Sequence, residues 1–328
     1  METLDYWIYE NKLIFKPKFN DKLDNYLDII CKYNELIFSN YNDYDITIKT
    51  NNKWCNEYKE NYKSSKFNQL VTIPENVTHL TFGNNFNQPV TIPENVTHLT
   101  FVWKFNQKII IPQNMTHLIF GCDFNKQIII PENVTHLTFS YNFNKQIIIP
   151  ENVTHLTFGD NFNKQIIIPE NVTHLTFGYY FNQQVIIPPN VIHLTFGKEF
   201  NQHVNLLNVK YLNIDCNNIN LIENLPNSIE EIEFGYYFDL ELQNLPNSIK
   251  KIIFCYYGNY DKELNCLPEF VEYIELNDHY DKKIKKIPLN LKTIKCDKNY
   301  KYINDFKDKF NVISKDNKYN VITKDSFK

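Results

Sequence analysis

The nineteen residues FNKQIIIPENVTHLTFGYY, Phe162 to Tyr180, decide how this chain folds. Leu175 and Phe177 alternate with His174 and Thr176, the period-two pattern of a strand with one buried face. Val172 stands three residues before Leu175, so the apolar residues fall in the spacing x-x-L-x-F behind a leading valine. The preceding run of three isoleucines ends at Pro169, which favours extended chain and blocks a helix.

The same unit recurs in both directions. Phe-Asn begins at Phe67, Phe86, Phe105, Phe124, Phe143, Phe162, Phe181 and Phe200, always 19 residues apart. Proline keeps the same step at Pro74, Pro93, Pro112, Pro131, Pro150, Pro169 and Pro188. Looser copies follow: LPNSIEEIEF (225–234), LPNSIKKIIF (245–254), LPEFVEYIEL (267–276) and IPLNLKTIKC (287–296), with VKYLNI (209–214) as a shortened one. Upstream, KLIFKPKFN (12–20) matches HLTFGNNFN, and YNELIF (33–38) has the same apolar spacing. Residues 21–33 between them read as a short amphipathic helix.

A unit this short cannot hold a strand, a full helix and two connections. The side opposite the strand is therefore expected to be extended chain. A lone unit also has no core, so units must stack, pairing each strand in parallel with the next. The expectation is a mainly β solenoid of leucine-rich-repeat type. Its coils of 19–22 residues form a parallel concave sheet and an extended convex side with little helix. Four regions are expected along one continuous coil: a cap with degenerate repeats (1–66), regular repeats (67–205), degenerate coils (206–296) and a terminal cap or tail (297–328). In the tail, Phe306, Phe310 and Val312 are the candidate contacts.

The units resemble FNIP repeats, a leucine-rich-repeat relative of giant DNA viruses and social amoebae. The later LPNSIEEIEF-type units are also similar to short bacterial effector leucine-rich repeats. The resemblance implies a non-catalytic scaffold for protein partners, host proteins if the chain is viral. Many family members carry an amino-terminal F-box, which would imply substrate selection for a ubiquitin ligase. No F-box is recognisable here, because the first 66 residues already contain repeat-like pieces.

Composition narrows the function further. The 328 residues carry a net charge of -4, contain no arginine and no alanine, and draw all 34 basic residues from lysine. Without the guanidinium fork, a nucleic-acid partner is not expected. An AT-rich genome would produce the same two absences. Seven scattered cysteines (Cys31, Cys55, Cys122, Cys216, Cys255, Cys266, Cys296) form no C-x-x-C pair and read as reduced thiols. The start METLDYWIYENK lacks a signal-peptide pattern, and no run of 18 apolar residues occurs. No membrane contact is expected, and the location expected is the cytoplasm, that of the host if the protein is viral. No catalytic, dinucleotide, phosphate-loop or metal motif is present, so no enzyme, cofactor or metal is expected. Most glycines share the slot that closes the strand.

Comparing units separates packing columns from variable ones. Val/Met, Leu and Phe of the strand, the Phe of Phe-Asn and the flanking isoleucines read as core. The Asn of Phe-Asn reads as a ladder satisfying backbone groups of a neighbouring coil. Six Asn-x-Thr sequences, at Asn76, Asn95, Asn114, Asn133, Asn152 and Asn171, match the glycosylation pattern but arise from two repeat columns. The Thr81, Thr100, Ile119, Thr138, Thr157, Thr176, Thr195 column reads as strand-surface filler.

Three features carry functional expectations. His79, His98, His117, His136, His155, His174 and His193 share one outward slot. They would stack along the concave face as a pH- or metal-responsive ladder, or simply as a strand surface copied with the repeat. Stacked imidazoles should have depressed and spread pKa values. The two residues before Phe-Asn vary most, and they sit on the rim past the strand, where binding loops gather. Trp103, Lys104, Tyr141, Asp160, Tyr179 and Tyr180 occupy this rim, with Tyr236, Tyr237, Tyr256 and Tyr257 in matching later slots. Tyrosine and tryptophan are favoured interface anchors. Finally, the middle isoleucine of each triplet, Ile110, Ile129, Ile148, Ile167 and Ile186, should point outward, a surface for a partner or for self-association. Further on, Glu231, Glu233, Lys251, Glu272, Glu275, Lys292 and Lys295 turn the concave columns charged.

Overall fold

The computed structural model describes residues 4–50, 60–307, 309–316 and 320–322. Cys55 lies outside the described residues. The chain divides into two compact units, residues 1–172 and 173–328.

In the first unit eight strands follow the repeat: β1 (Tyr6–Tyr9), β2 (Lys12–Phe15), β3 (Glu35–Phe38), β4 (His79–Phe82), β5 (His98–Phe101), β6 (His117–Phe120), β7 (His136–Phe139) and β8 (His155–Thr157). From β2 to β8 each strand pairs in parallel with the next, in a register that sets His79 beside His98 and Leu80 beside Leu99. The first strand turns back antiparallel on β2 and covers that edge, which limits unwanted strand pairing. Residues 21–33 give a short helical segment, a 3-10 turn at Leu23–Tyr26 that runs directly into α1 (Leu27–Ile30). Leu23 and Ile30 anchor them by burial, while Leu27 is exposed. After β3, α2 (Tyr44–Thr50) starts where the Asp43 carboxylate accepts the Ile46 N–H at 3.1 Å, satisfying a first-turn donor.

The second unit holds β9 (His174–Thr176), β10 (His193–Phe196), β11 (Tyr211–Ile214), β12 (Glu231–Phe234), β13 (Lys251–Phe254), β14 (Tyr273–Glu275), β15 (Thr293–Asp297) and β16 (Asn311–Asp316), all parallel. β17 (Asn320–Ile322) closes the edge antiparallel to β16. One short helix, α3 (Ile219–Glu223), is capped by Asn218, whose side-chain oxygen accepts the Leu221 N–H at 3.3 Å. Phe306 is buried in the terminal cap, near Tyr300 and Phe310. Val312 is half-buried and lies opposite Ile294.

Inside the first unit the core is a set of side-chain columns. Val77, Leu80, Phe82 and Phe86 are sealed, and their repeats in each later coil are sealed likewise. The two phenylalanines of one coil stack closely, with ring centroids 3.8 Å apart for Phe82–Phe86 and 3.9 Å for Phe120–Phe124. Between coils the rings repeat at 5.3–6.2 Å, as in Phe82–Phe101 and Phe105–Phe124. The upstream match extends this column: Phe19 stacks on Phe67 at 5.7 Å.

Polar ladders tie the turns. The Asn87 N–H donates to the Asn68 side-chain oxygen at 2.9 Å, and Asn106, Asn125, Asn144 and Asn163 each repeat the bond one coil on. Asn20 starts the ladder by accepting from the Asn68 N–H. The Asn-x-Thr asparagines form a second ladder: Asn95 donates to the Glu75 carbonyl at 2.8 Å, and Asn114, Asn133, Asn152 and Asn171 do the same. These amides are structural donors, each meeting a backbone carbonyl of the preceding coil.

One outward column departs from expectation. Thr81 and Thr100 are buried, at 9% and 7% exposure. Thr81 is flanked by Ile37 and Thr100, and Thr100 by Thr81 and Ile119. Thr138 and Thr157 stay half-buried although Thr138 also lies beside Ile119, so the flanking residues alone do not set the burial.

Candidate protein-binding surfaces

In the first unit the histidines form a ring stack. Centroids of His79–His98, His98–His117, His117–His136 and His136–His155 lie 4.0, 4.1, 4.2 and 4.2 Å apart, with planes within 16° of parallel. In the second unit His174 and His193 stack at 4.1 Å, and Tyr211 continues the column at 4.2 Å from His193.

A threonine positions six of the seven histidine rings; His193 follows Ile192 instead. Nδ1 of His98 lies 2.9 Å from the Thr97 hydroxyl, and the same geometry recurs at His79, His117, His136, His155 and His174. The Thr97 hydroxyl also donates to the Thr78 carbonyl at 3.3 Å, as Thr116, Thr135 and Thr154 do to the coil before. A hydroxyl has one proton, so when it goes to the carbonyl the imidazole must donate from Nδ1. Nε2 is then an acceptor.

Burial favours the neutral form at four of the rings. It pushes the pKa of His79, His98, His117 and His136 down, and neighbouring histidines add to the depression at the last three. His98 falls to about 4. Near-parallel rings aim their in-plane lone pairs side by side, not at a common point, which does not suit a tetrahedral ion. Among the described residues no group of three or more His, Cys, Asp or Glu is placed to hold a metal.

In the second unit the concave columns become charged, and the mixed signs are cross-strand partners. Lys251 meets Glu231 at 2.8 Å, Lys295 meets Glu275 at 3.1 Å, and Lys292 meets Glu272 at 2.7 Å. Pairs of this kind contribute roughly 0.2–1 kcal/mol each and fix which strands pair. Glu233 lies half-buried; burial and then Glu275 push its carboxyl up, against Lys251 and Asn213. A concave hollow of ≈ 440 Å³ is lined by His193, Tyr211, Asn213, Glu233, Lys251 and Ile253, among others.

The rim is ordered by its own backbone ladder. The Asp123 N–H donates to the Trp103 carbonyl at 2.9 Å, Asn161 to Tyr141 at 2.9 Å, and Glu199 to Tyr179 at 2.9 Å. Trp103, Lys104 and Tyr141 stand exposed on the first unit's rim, and Asp160 is half-buried there. On the second unit the structure gathers the predicted tyrosines. Tyr179 meets Tyr180 edge-on at 4.6 Å and Tyr237 at 5.5 Å, and Tyr237 meets Tyr236 at 4.8 Å. Tyr256 and Tyr257 form a separate edge-on pair at 4.9 Å, with the Tyr256 hydroxyl 3.4 Å from Asp297.

Sequence reasoning left Lys198 out of this set. Its ammonium donates to the Tyr179 hydroxyl at 2.7 Å and lies 4.4 Å from the Tyr237 ring centre. A cation over an aromatic face is attracted by the ring's electron-rich surface, and here it bridges both rings. Its place in the variable rim column was the available signal. Tyr211 was also missed, although its position in the shortened copy VKYLNI puts it in the histidine slot.

On the convex side Ile110, Ile129, Ile148 and Ile167 are 88–90% exposed, and Ile186 of the second unit 85%. The six cysteines among the described residues are free thiols. Burial pushes the Cys216 thiol up to about 11 and Cys296 to about 12, so neither is a thiolate at neutral pH. No helix among the described residues is long and apolar enough to cross a membrane.

Parallel one-strand coils with an extended far side define a solenoid of leucine-rich-repeat type. The FNIP Repeat family model matches residues 67–101, 89–123, 124–149, 143–180, 166–187 and 217–257, and the chain is an FNIP-repeat protein. A solved structure described as CroV588, a novel circular leucine-rich-repeat protein, is similar to it, with 29% identity and a TM-score of 0.53. The similarity covers 90% of this chain and 58% of that one, so the chain spans under two thirds of its neighbour's length. No curated protein matches the chain significantly.

Proposed function

We propose that the protein is a non-catalytic scaffold that binds a protein partner through the concave hollow and tyrosine rim of its second unit. The observation that carries this reading is the cluster of Tyr179, Tyr180, Tyr236 and Tyr237 held around Lys198. Rings fixed before binding lose little conformational entropy on contact, so their apolar area converts efficiently into affinity. The adjoining hollow adds a charged floor that would select a partner by complementarity. The site of action proposed is the cytoplasm, where the thiols stay reduced, that of a host cell if the protein is viral. Trp103, Lys104, Tyr141 and Asp160 would serve as a corresponding rim on the first unit, and Tyr256 with Tyr257 as a flanking patch. A role in substrate choice for a ubiquitin ligase rests on the family resemblance alone.

The test compares partners captured by the full chain with those captured by a Tyr180→Ala, Tyr236→Ala, Tyr237→Ala variant of unchanged folding. Loss of the main partner, at least tenfold, is expected. Identical capture by both proteins removes the rim from the site.

A second reading, that the histidine ladder senses pH, is supported by the 4.0–4.2 Å ring spacing. Protonating adjacent rings at that distance costs on the order of 1–4 kcal/mol per pair, depending on how much water enters.

A further inference from the structure

The convex isoleucines of the first unit lie between two charged columns. In the coils of Ile129, Ile148 and Ile167 the run Lys-Gln-Ile-Ile-Ile-Pro-Glu sets a lysine three residues before the exposed isoleucine and a glutamate three residues after it, whereas the Ile110 coil has Gln107 and Gln113 at those places. Lys126, Lys145 and Lys164 thus form one column, and Glu132, Glu151 and Glu170 the other. Both isoleucines flanking Ile129, Ile148 and Ile167 are buried, Ile128 and Ile130 at 6% each, and beside Ile110 Ile111 is buried and Ile109 half-buried, so the middle side chain must face away from the core. The Gln127 amide donates to the Gln146 carbonyl at 2.9 Å, and Gln146 to Gln165, which keeps successive rows in step. None of Lys126, Lys145, Lys164, Glu132 or Glu151 forms an ion pair within the chain among the described residues. An apolar stripe exposed over four consecutive coils is unusual for a surface with no partner.

We propose that this stripe is the interface of a homodimer whose twofold axis runs parallel to the direction in which the coils stack. Charge decides the occupant and the axis. Turning a second copy about that axis lays isoleucine on isoleucine and brings each lysine column opposite the partner's glutamate column on both flanks. A twofold axis across the stripe would instead place lysine on lysine and glutamate on glutamate. A twofold contact of this kind is closed, so it stops at two copies and does not propagate into fibres. The chosen axis also places every stripe residue opposite itself: residue 110 faces 110, and 167 faces 167. The rival axis would pair 110 with 167 and 129 with 148.

Sedimentation of the full chain should show a concentration-dependent dimer. Ile129→Asp with Ile148→Asp should weaken it at least a hundredfold while leaving the far-ultraviolet circular dichroism and melting temperature unchanged. Reversing only the lysine column (Lys126→Glu, Lys145→Glu, Lys164→Glu) or only the glutamate column (Glu132→Lys, Glu151→Lys, Glu170→Lys) should leave monomers. Mixing those two proteins should restore dimers. Single Ile110→Cys and Ile167→Cys variants should each crosslink to themselves under oxidation. A chain that stays monomeric at every concentration reached overturns the proposal, as does a dimer indifferent to the aspartates. Failure of each variant to crosslink to itself, with crosslinking only when the two are mixed, overturns the axis.

Discussion

Acid should loosen the first unit through its histidines. In the unfolded chain an imidazole takes up its proton near pH 6.5. In the folded chain burial and the adjacent rings delay this, to about 4 at His98, with His79, His117 and His136 lowered in the same direction. The folded pKa is depressed, so as pH falls the unfolded state binds the proton first. The neutral ladder's contribution is complete above about pH 6.5 and is lost as the pH drops toward about 4. For His98 the full difference corresponds to ~3 kcal/mol, reduced to roughly 1–2 kcal/mol because the ring is only partly withdrawn from water. Urea denaturation of the full chain between pH 7.5 and about 4, beside a His98→Gln, His117→Gln, His136→Gln variant, measures it. The natural chain should lose the larger share of its stability across that interval, and the variant should show a flatter profile. The imidazole resonances, followed by NMR, should titrate below the ordinary value with shallow, mutually dependent curves. Independent titrations centred near 6.5, or equal pH profiles for the two proteins, would refute the reasoning.

Two further outcomes test the core and the close turn. Phe120→Ala removes a fully buried ring stacked 3.9 Å from Phe124; it should cost about 3–5 kcal/mol and open the neighbouring coils first, read by denaturation and amide exchange. A loss below about 1 kcal/mol would mean the ring columns are not tightly packed. At Gly159 an added Cβ would lie 2.2 Å from the Ser140 backbone carbonyl, against 2.9 Å from the Cys255 oxygen at Gly258. Gly159→Ala should therefore lower the melting temperature more than Gly258→Ala, and the reverse order would contradict the turn geometry.

Most of the fold was legible because each coil repeats one pattern on one scale. Leu80 and Phe82 alternate with His79 and Thr81, and that alternation fixes strand, face and register together. The degenerate copies were equally readable, VKYLNI giving β11 and LPNSIKKIIF giving β13. Residues 21–33 were less so: their apolar spacing suits one regular helix, whereas the segment is a 3-10 turn passing straight into a single α turn before β3. The rim was readable as a column of variation, not as a cluster. Tyr179 and Tyr237 are far apart in sequence, and only packing shows that Lys198 binds both.

By itself the sequence determined the coil, its sealed phenylalanine and aliphatic columns, the parallel pairing and the outward slot of the histidines. Those depend on local periodicity, which a single repeat contains in full. The tertiary structure decided what happens between coils. It set the 4 Å stacking of the imidazoles, the hydroxyl that fixes their Nδ1, the burial of Thr81 and Thr100, and the gathering of the second unit's tyrosines. Each depends on the rise and twist from one coil to the next, a geometric quantity that no residue encodes alone.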